Sequence, residues 1–422
     1  MFRLSKLLTM AWFLFVPMGL WAQTDADGFE PLFNGKNLEG WVPVNTQEGT
    51  FYVKDKMIVT TGLPTGFMRT QKQYQNFILE FEWKHTNTKE VGNSGLFLWA
   101  DPFPALGSPF TRGIEVQVLV NLESEGNYTS HGDIFSIWGA TCVPDRAHPK
   151  GWPRCLPSER RAKGGGEWNH YRVEAKNGSL KLAVNGKVVS GVSKASPSKG
   201  YIALEAEGAE CMFRNLKIKE LPAEAIDEKE ATPLAQDHRF LLGHYGLGGF
   251  VTKPDTPWTM RDWMLAYRGK KGTGSSEIWT IAKHGNIEFV ADWKFPTDNN
   301  PQGTQGNRKA YLGLRGSNKA LILLTDGKTG SGGLPLVEAD LSLPEAVRLA
   351  AKPALVADTN PLENSWNRLE GSLLGNQLSL KINGKEVIKA LTLEGIPSEG
   401  PLGLIASEGP VDFANLFARE LK

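Results

Sequence analysis

The chain is expected to be all-β, built as two tandem jelly-roll β-sandwiches. Three observations predict this. Short runs with apolar and polar residues in alternation, such as LKLAV, YIALEAE and CMFRNLKIK, are separated by Gly, Asn, Asp and Pro, which is the period of antiparallel strands with one buried face. Helical periodicity is confined to AIDEKEA (225–231) and LPEAVRLA (343–350). The chain also repeats itself, and an ordered repeat of this length points to two copies of one fold.

FYVKDKMI from Phe51 and LEFEWK from Leu79 open the first copy; WTMRDWML from Trp258 and FVADWK from Phe289 open the second. GEWNHYRVEAKNGSLKLAVNGKVV (166–189) then matches NSWNRLEGSLLGNQLSLKINGKEV (364–387), with Trp168-Asn169 on Trp366-Asn367 and Asn185-Gly186-Lys187 on Asn383-Gly384-Lys385. Asn-Gly at 177–178 and 185–186 lies between alternating runs and signals tight hairpins. Near each end, Phe213, Asn215 and Leu216 match Phe413, Asn415 and Leu416. The expected boundaries are a first domain at 28–221, a charged, proline-bounded linker at 222–233 and a second domain at 234–422.

The first 22 residues have a basic start, an apolar run from about Leu7 to Leu20 and a small residue, Ala22, before Gln23. This is the layout of a secretory signal peptide, and the apolar run is shorter than the ~20 residues of a membrane span. The expectation is a periplasmic or secreted protein with no membrane span after cleavage. The 47 basic and 46 acidic residues balance, which argues against a nucleic-acid partner. Cys142 and Cys155 bracket a proline-rich segment, and an oxidising compartment makes a disulfide between them the expectation. Cys211 reads as a small buried residue.

The two copies differ in polar content. RGIEVQVL (112–119) is a strand with Glu115 and Gln117 on one face, whereas its counterpart NKALILLT (318–325) has no carboxylate. The first copy also carries Asn93-Ser94-Gly95, His131-Gly132-Asp133 and Glu205-Ala-Glu207. Glu115 is the leading acid/base candidate, with His131 and Asp133 second; a histidine beside a carboxylate can be oriented by it. The same three residues are candidate ligands for a divalent metal ion, the one cofactor the pattern admits. Trp99 and Trp138 are candidates to stack on a sugar. Trp168, matched in the second copy, reads as structural. A solvated strand face is the bland alternative for Glu115 and Gln117; their absence from the second copy favours function. The second domain is expected to hold no active site.

In order, FEPLFNGKNLEGW, FYVKDKMIVTTG, YQNFILEFEWK, GNSGLFLW, GIEVQVL, GGGEWNHYRVEA, LAVNGKVV and FRNLKIKEL resemble the 3-keto-disaccharide hydrolase family over about residues 29–221. The resemblance implies a concanavalin-like jelly roll and a glycoside substrate whose C3 hydroxyl has been oxidised by a separate dehydrogenase. It implies C2-proton abstraction, β-elimination and hydration, chemistry that needs a base, an acid and an enolate stabiliser. Its motifs fall on Asn93, Glu115, Gln117, Glu82 and Lys84, and loosely on Lys163; Lys84 or Lys163 would face the enolate. Where the family has Gln-x-His-Gly, this chain has Glu205 and Glu207. A non-catalytic carbohydrate-binding or cell-surface protein is the alternative function.

Overall fold

The computed structural model describes residues 24–120, 132–235, 237–244, 246–269, 276–296, 308–325, 330–354 and 365–421. The proposed signal peptide lies outside them. Among these residues strands dominate; the two helical candidates appear as a 3-10 turn at Glu228–Glu230 and an α-helix at Glu345–Ala350, and a short helix at Pro335–Glu338 adds to them.

Two antiparallel sandwiches result. In the first, a nine-stranded sheet runs Thr141–Pro144, Lys187–Ser196, Ser179–Val184, Asn169–Lys176, Phe77–His85, Cys211–Glu220, Met57–Thr60, Phe51–Lys54, with Glu30–Pro31 pairing beside Cys211–Glu220. Its seven-stranded partner runs Arg154–Cys155, Ile134–Ile137, Gly113–Gln117, Gly95–Ala100, Gly200–Ala206, Gly66–Tyr74, Trp41–Pro43. The second sandwich repeats this order with fewer edge strands. Its large sheet runs Trp258–Arg261, Met264–Tyr267, Val411–Glu420, Ile287–Lys294, Asn367–Leu374, Gln377–Ile382, Lys385–Thr392; its small one runs Phe250–Val251, Ser276–His284, Gly400–Glu408, Lys309–Gly313, Leu321–Thr325.

The repeated sequence signatures have a shared physical cause. Each Asn-Gly turn puts both residues at positive φ, as Asn185 and Gly186 do at 47° and 88° and Asn383 and Gly384 at 49° and 77°, the backbone of a tight hairpin. The turn asparagine then reaches sideways. Asn185 Nδ2 donates to Asn169 Oδ1 at 3.0 Å and Asn383 Nδ2 to Asn367 Oδ1 at 2.9 Å. The Trp-Asn and Asn-Gly-Lys motifs are therefore two halves of one clamp, used twice.

Each sandwich buries its own core. The first packs Trp83, Phe81, Tyr171 and Phe213 against Leu96, Leu98, Ile114, Val116 and Leu204; the second packs Trp258, Trp293 and Phe413 against Leu312, Ile322 and Leu404. Period-two alternation sends Phe97, Ala203 and Tyr201 to the other face of the seven-stranded sheet. There they form a third cluster with Phe67 and with Phe417, Phe240 and Val290 of the second sandwich. The outer face of the seven-stranded sheet is thus partly an interface between the sandwiches. The loop 101–112 fastens it: Gly107 N donates to Asp292 Oδ2, Arg368 Nη2 to Pro104 O and Asn415 Nδ2 to Ser108 O.

The cysteine expectation is corrected. Cys142, Cys155 and Cys211 are all free thiols. Cys155 is fully buried in the first core and accepts a bond from Gly191 N, with Cys142 packed at its margin. Tertiary packing and strand pairing hold the ends of the segment instead: Thr141–Pro144 pairs with Lys187–Ser196, and Arg154–Cys155 pairs with Ile134–Ile137.

Candidate functional site

The strand Gly113–Gln117 lies inside the seven-stranded sheet, between Gly95–Ala100 and Ile134–Ile137. Ile114 and Val116 enter the core, so Glu115 and Gln117 face outward beside the interdomain cluster. Glu205, two strands away, faces the same side. Gly95 lies between them: a Cβ on Gly95 would stand 2.8 Å from Glu205 Oε2 and 2.9 Å from Glu115 Oε1. Glycine leaves the space over which these two carboxyls converge.

A polar ring closes around this point. Asn93 Nδ2 donates to Glu207 Oε2, and Gln117 Nε2 donates to Asn93 Oδ1 at 2.7 Å. Ser94 Oγ donates to the Glu205 carbonyl at 2.8 Å and Tyr171 OH to the Gln117 carbonyl at 2.9 Å. On the far side Arg154 Nη1 bonds Asp133 Oδ2 at 3.0 Å, with its guanidinium 3.6 Å from the Phe135 ring centroid. Register places Phe135 opposite both Glu115 and Arg154. The Cys-bounded insertion therefore brings a cation towards the acids.

Burial sets the proton affinities. Glu115 is 7% exposed and Glu205 1%. Desolvation first, then the charges of Glu207 and Asp133, push the Glu115 carboxyl up to about 8, against the pull of Arg154. Glu205 is raised well above the carboxylate range by burial and by Glu115 and Glu207; its Oε2 is buried without a hydrogen-bond partner. Glu207 is also raised by burial, while bonds from Glu205 and Asn93 counter the rise. Burial thus favours the protonated form of all three, and Glu115, near 8, is largely protonated at neutral pH.

Folding raises these carboxyls above the ordinary value of 4.5, so the native state keeps protons the unfolded chain has released. That stability is fully present below the unfolded value and declines as pH rises towards about 8. Glu205→Gln should abolish part of this decline and raise stability at pH 8 by roughly 1–3 kcal/mol. Denaturant titrations of both proteins at pH 5 and pH 8 check it; an equal pH dependence in the two would be incompatible with a protonated Glu205.

Of the residues singled out from sequence, Glu115, Gln117, Asn93 and Glu205 meet in this cluster. Asp133 joins it through Arg154, and His131 lies outside the described residues. Others are elsewhere. Glu82 accepts from Arg214 Nε and Asn215 Nδ2, and Lys84 lies over the Trp168 ring, all on the outer face of the nine-stranded sheet. The strand Phe77–His85 alternates, and its polar residues point away from the sandwich rather than to the seven-stranded sheet. Trp99 is fully buried with its indole N–H on the Gln75 carbonyl, a core residue rather than a sugar platform. Trp138 is 51% exposed just past Ile134–Ile137. Lys163 is exposed, and its backbone N–H bonds Asn169 Oδ1. Among the described residues no three His, Cys, Asp or Glu side chains are grouped to hold a metal ion. Sequence reasoning missed Arg154 and the role of Gly95; only the through-space pairing of four strands reveals them.

The second sandwich cannot form this cluster. Register sets Leu321, Leu323 and Ile405 where the first has Glu115, Gln117 and Glu205, and puts Tyr311 in place of Gly95. Three polar positions have become apolar and the cradle is filled by a phenol ring.

Residues 28–219 match the family model described as a 3-keto-alpha-glucoside-1,2-lyase-like domain. The match spans the first sandwich. Two solved structures are similar to part of the chain. One, from Parabacteroides distasonis and titled a "putative glycosyl hydrolase", is 24% identical, covering 47% of this chain and 95% of that one, with a TM-score of 0.36. The other, the carbohydrate-binding module CBM66 from Bacillus subtilis, is 14% identical over 44% of this chain and 98% of that one, with a TM-score of 0.33. No curated protein matches the chain. Among the described residues no helix is long and apolar enough to cross a membrane.

Proposed function

We propose that the lyase-like domain cleaves 3-keto-glycosides by proton abstraction at C2, elimination of the anomeric substituent and addition of water. One observation carries the reading: two buried carboxyl groups, Glu115 and Glu205, converge over Gly95, and the half-buried Glu207 bonds alongside them. A C3 ketone acidifies the C2 proton. Glu207, the least buried of the three and held by Asn93, takes that proton, and the C–H electrons move onto the ketone oxygen as an enolate. Collapse of the enolate breaks the C1–O bond, and the leaving oxygen receives a proton from Glu115, whose affinity near 8 suits donation at neutral pH. Protonated Glu205 donates a hydrogen bond to the enolate oxygen, and the Arg154 guanidinium favours the developing charge. Gln117 and Asn93 hold Glu207 in place and offer amide groups to sugar hydroxyls.

The protein is read as exported, with the substrate supplied by a separate sugar dehydrogenase; its amino-terminal pattern and the oxidised substrate support these two steps respectively. The test is release of free monosaccharide from 3-keto-trehalose by the pure protein. Binding without release supports the carbohydrate-binding alternative instead, and cleavage of unoxidised trehalose supports direct hydrolysis by paired carboxyls.

A further inference from the structure

We propose that Trp263 and Trp366 of the second sandwich form a stacking platform for the sugar ring beyond the one held at the acid cluster, so that the binding cleft is built by both sandwiches. The inference deepens the reading of the acid cluster and rests on it.

The chain brings this aromatic pair to the right place. Trp263 sits at the tip of the hairpin between Trp258–Arg261 and Met264–Tyr267. Its neighbour Asp262 accepts a bond from Thr65 N at 2.6 Å. Thr65 immediately precedes Gly66, and Gly66 pairs with Ala206, the residue between Glu205 and Glu207. The hairpin tip is therefore tied to the strand end that carries two of the three acids. Trp366 lies beside Trp263 with ring centroids 5.6 Å apart and packs on Gly107, the turn of the loop that crosses between the sandwiches.

The first sandwich shows what these positions look like without that task. There Trp168, the counterpart of Trp366, is held between Arg214 at 3.8 Å and Lys84 at 4.9 Å. In the second sandwich Lys294 keeps its place at 4.9 Å, but register puts Ala414 where Arg214 stood. The hairpin turn likewise has Trp263 where the first copy has Lys56. One change uncovers an aromatic ring and the other adds one. Interface packing alone would bury such rings, as it buries Phe417 to 2% exposure. Trp263 and Trp366 both stay partly exposed. A partly exposed indole pair tied to the strand end that carries Glu205 and Glu207 offers a flat apolar surface to the C–H face of a pyranose.

The experiment measures binding by calorimetry in the full-length Glu115→Gln protein and in Glu115→Gln with Trp263→Ala or Trp263→Phe. The probes are 3-keto-trehalose and 3-keto-glucose. The expected result is a roughly tenfold loss of 3-keto-trehalose affinity in Trp263→Ala, unchanged 3-keto-glucose affinity, and recovery in Trp263→Phe. Equal affinities with and without Trp263, or a loss shared by both sugars, overturns the platform. Failure of the catalytic reading shows separately, as undiminished turnover by Glu115→Gln while the Trp263 effect on the two-ring sugar persists.

Discussion

Glu115→Gln is expected to lower turnover of 3-keto-trehalose by about 10²-fold or more with little change in KM, the loss typical of removing a proton donor from the transition state. The substitution isolates chemistry from folding. Glu115 is largely protonated at neutral pH, with its carboxyl raised to about 8 by burial and by Glu207. Glutamine copies the shape and hydrogen-bonding capacity of that neutral form, so the cradle at Gly95 should keep its geometry. The pH profile supplies a second readout. Wild-type kcat should fall on the alkaline side as Glu115 loses its proton near 8, and on the acid side as Glu207 gains one. Glu115→Gln should flatten the alkaline limb, and Glu207→Gln should remove the acid limb. Wild-type turnover in Glu115→Gln, or an alkaline limb that survives it, ends the assignment of Glu115 as the acid.

The acid cluster was half legible in the sequence, and the reason is the range of the interactions. Alternation in RGIEVQVL places Glu115 and Gln117 on one face, because side-chain direction in a strand is a local property. The contrast with NKALILLT marks that face as unusual, and register in the folded chain bears this out with Leu321 and Leu323. What local pattern cannot carry is which other strand stands alongside. Glu115 reads in sequence as a carboxylate without a partner; its partners arrive on Gly200–Ala206 and just beyond it, across the intervening strand Gly95–Ala100. Lys84 and Glu82 were misplaced for the same reason. A strand pattern shows that they face outward, but not that their sheet is the opposite one. The disulfide expectation failed on a different point: nearness in sequence and an oxidising compartment do not place two sulfurs together, and Cys155 is turned into the core.

Gly107→Ala is the substitution expected to separate the two sandwiches. Gly107 has φ +63°, a left-handed backbone that costs an L side chain about 1 kcal/mol or more. The steric problem is larger. A Cβ there would sit 2.1 Å from Trp366 Cδ1, so the loop has to withdraw. Withdrawal strips the Gly107 N–H, 3.0 Å away, from Asp292 Oδ2. Asp292 is fully buried and also binds Arg368 and Asn415, which reach across to the same loop at Pro104 and Ser108. Loosening one turn therefore weakens a whole set of bonds between the sandwiches, by roughly 2–4 kcal/mol in all. Calorimetry should show the unfolding transition of the second sandwich moving to lower temperature, away from that of the first. Gly384→Ala provides the control, since Gly384 also has positive φ, +77°, but no atom lies within 4 Å of its would-be Cβ. It should bear the backbone strain alone and shift far less. Equal shifts in the two variants would mean that backbone strain, rather than the seat of Gly107 on Trp366, dominates. A wild-type transition in Gly107→Ala would mean that the latch contributes nothing to holding the sandwiches together.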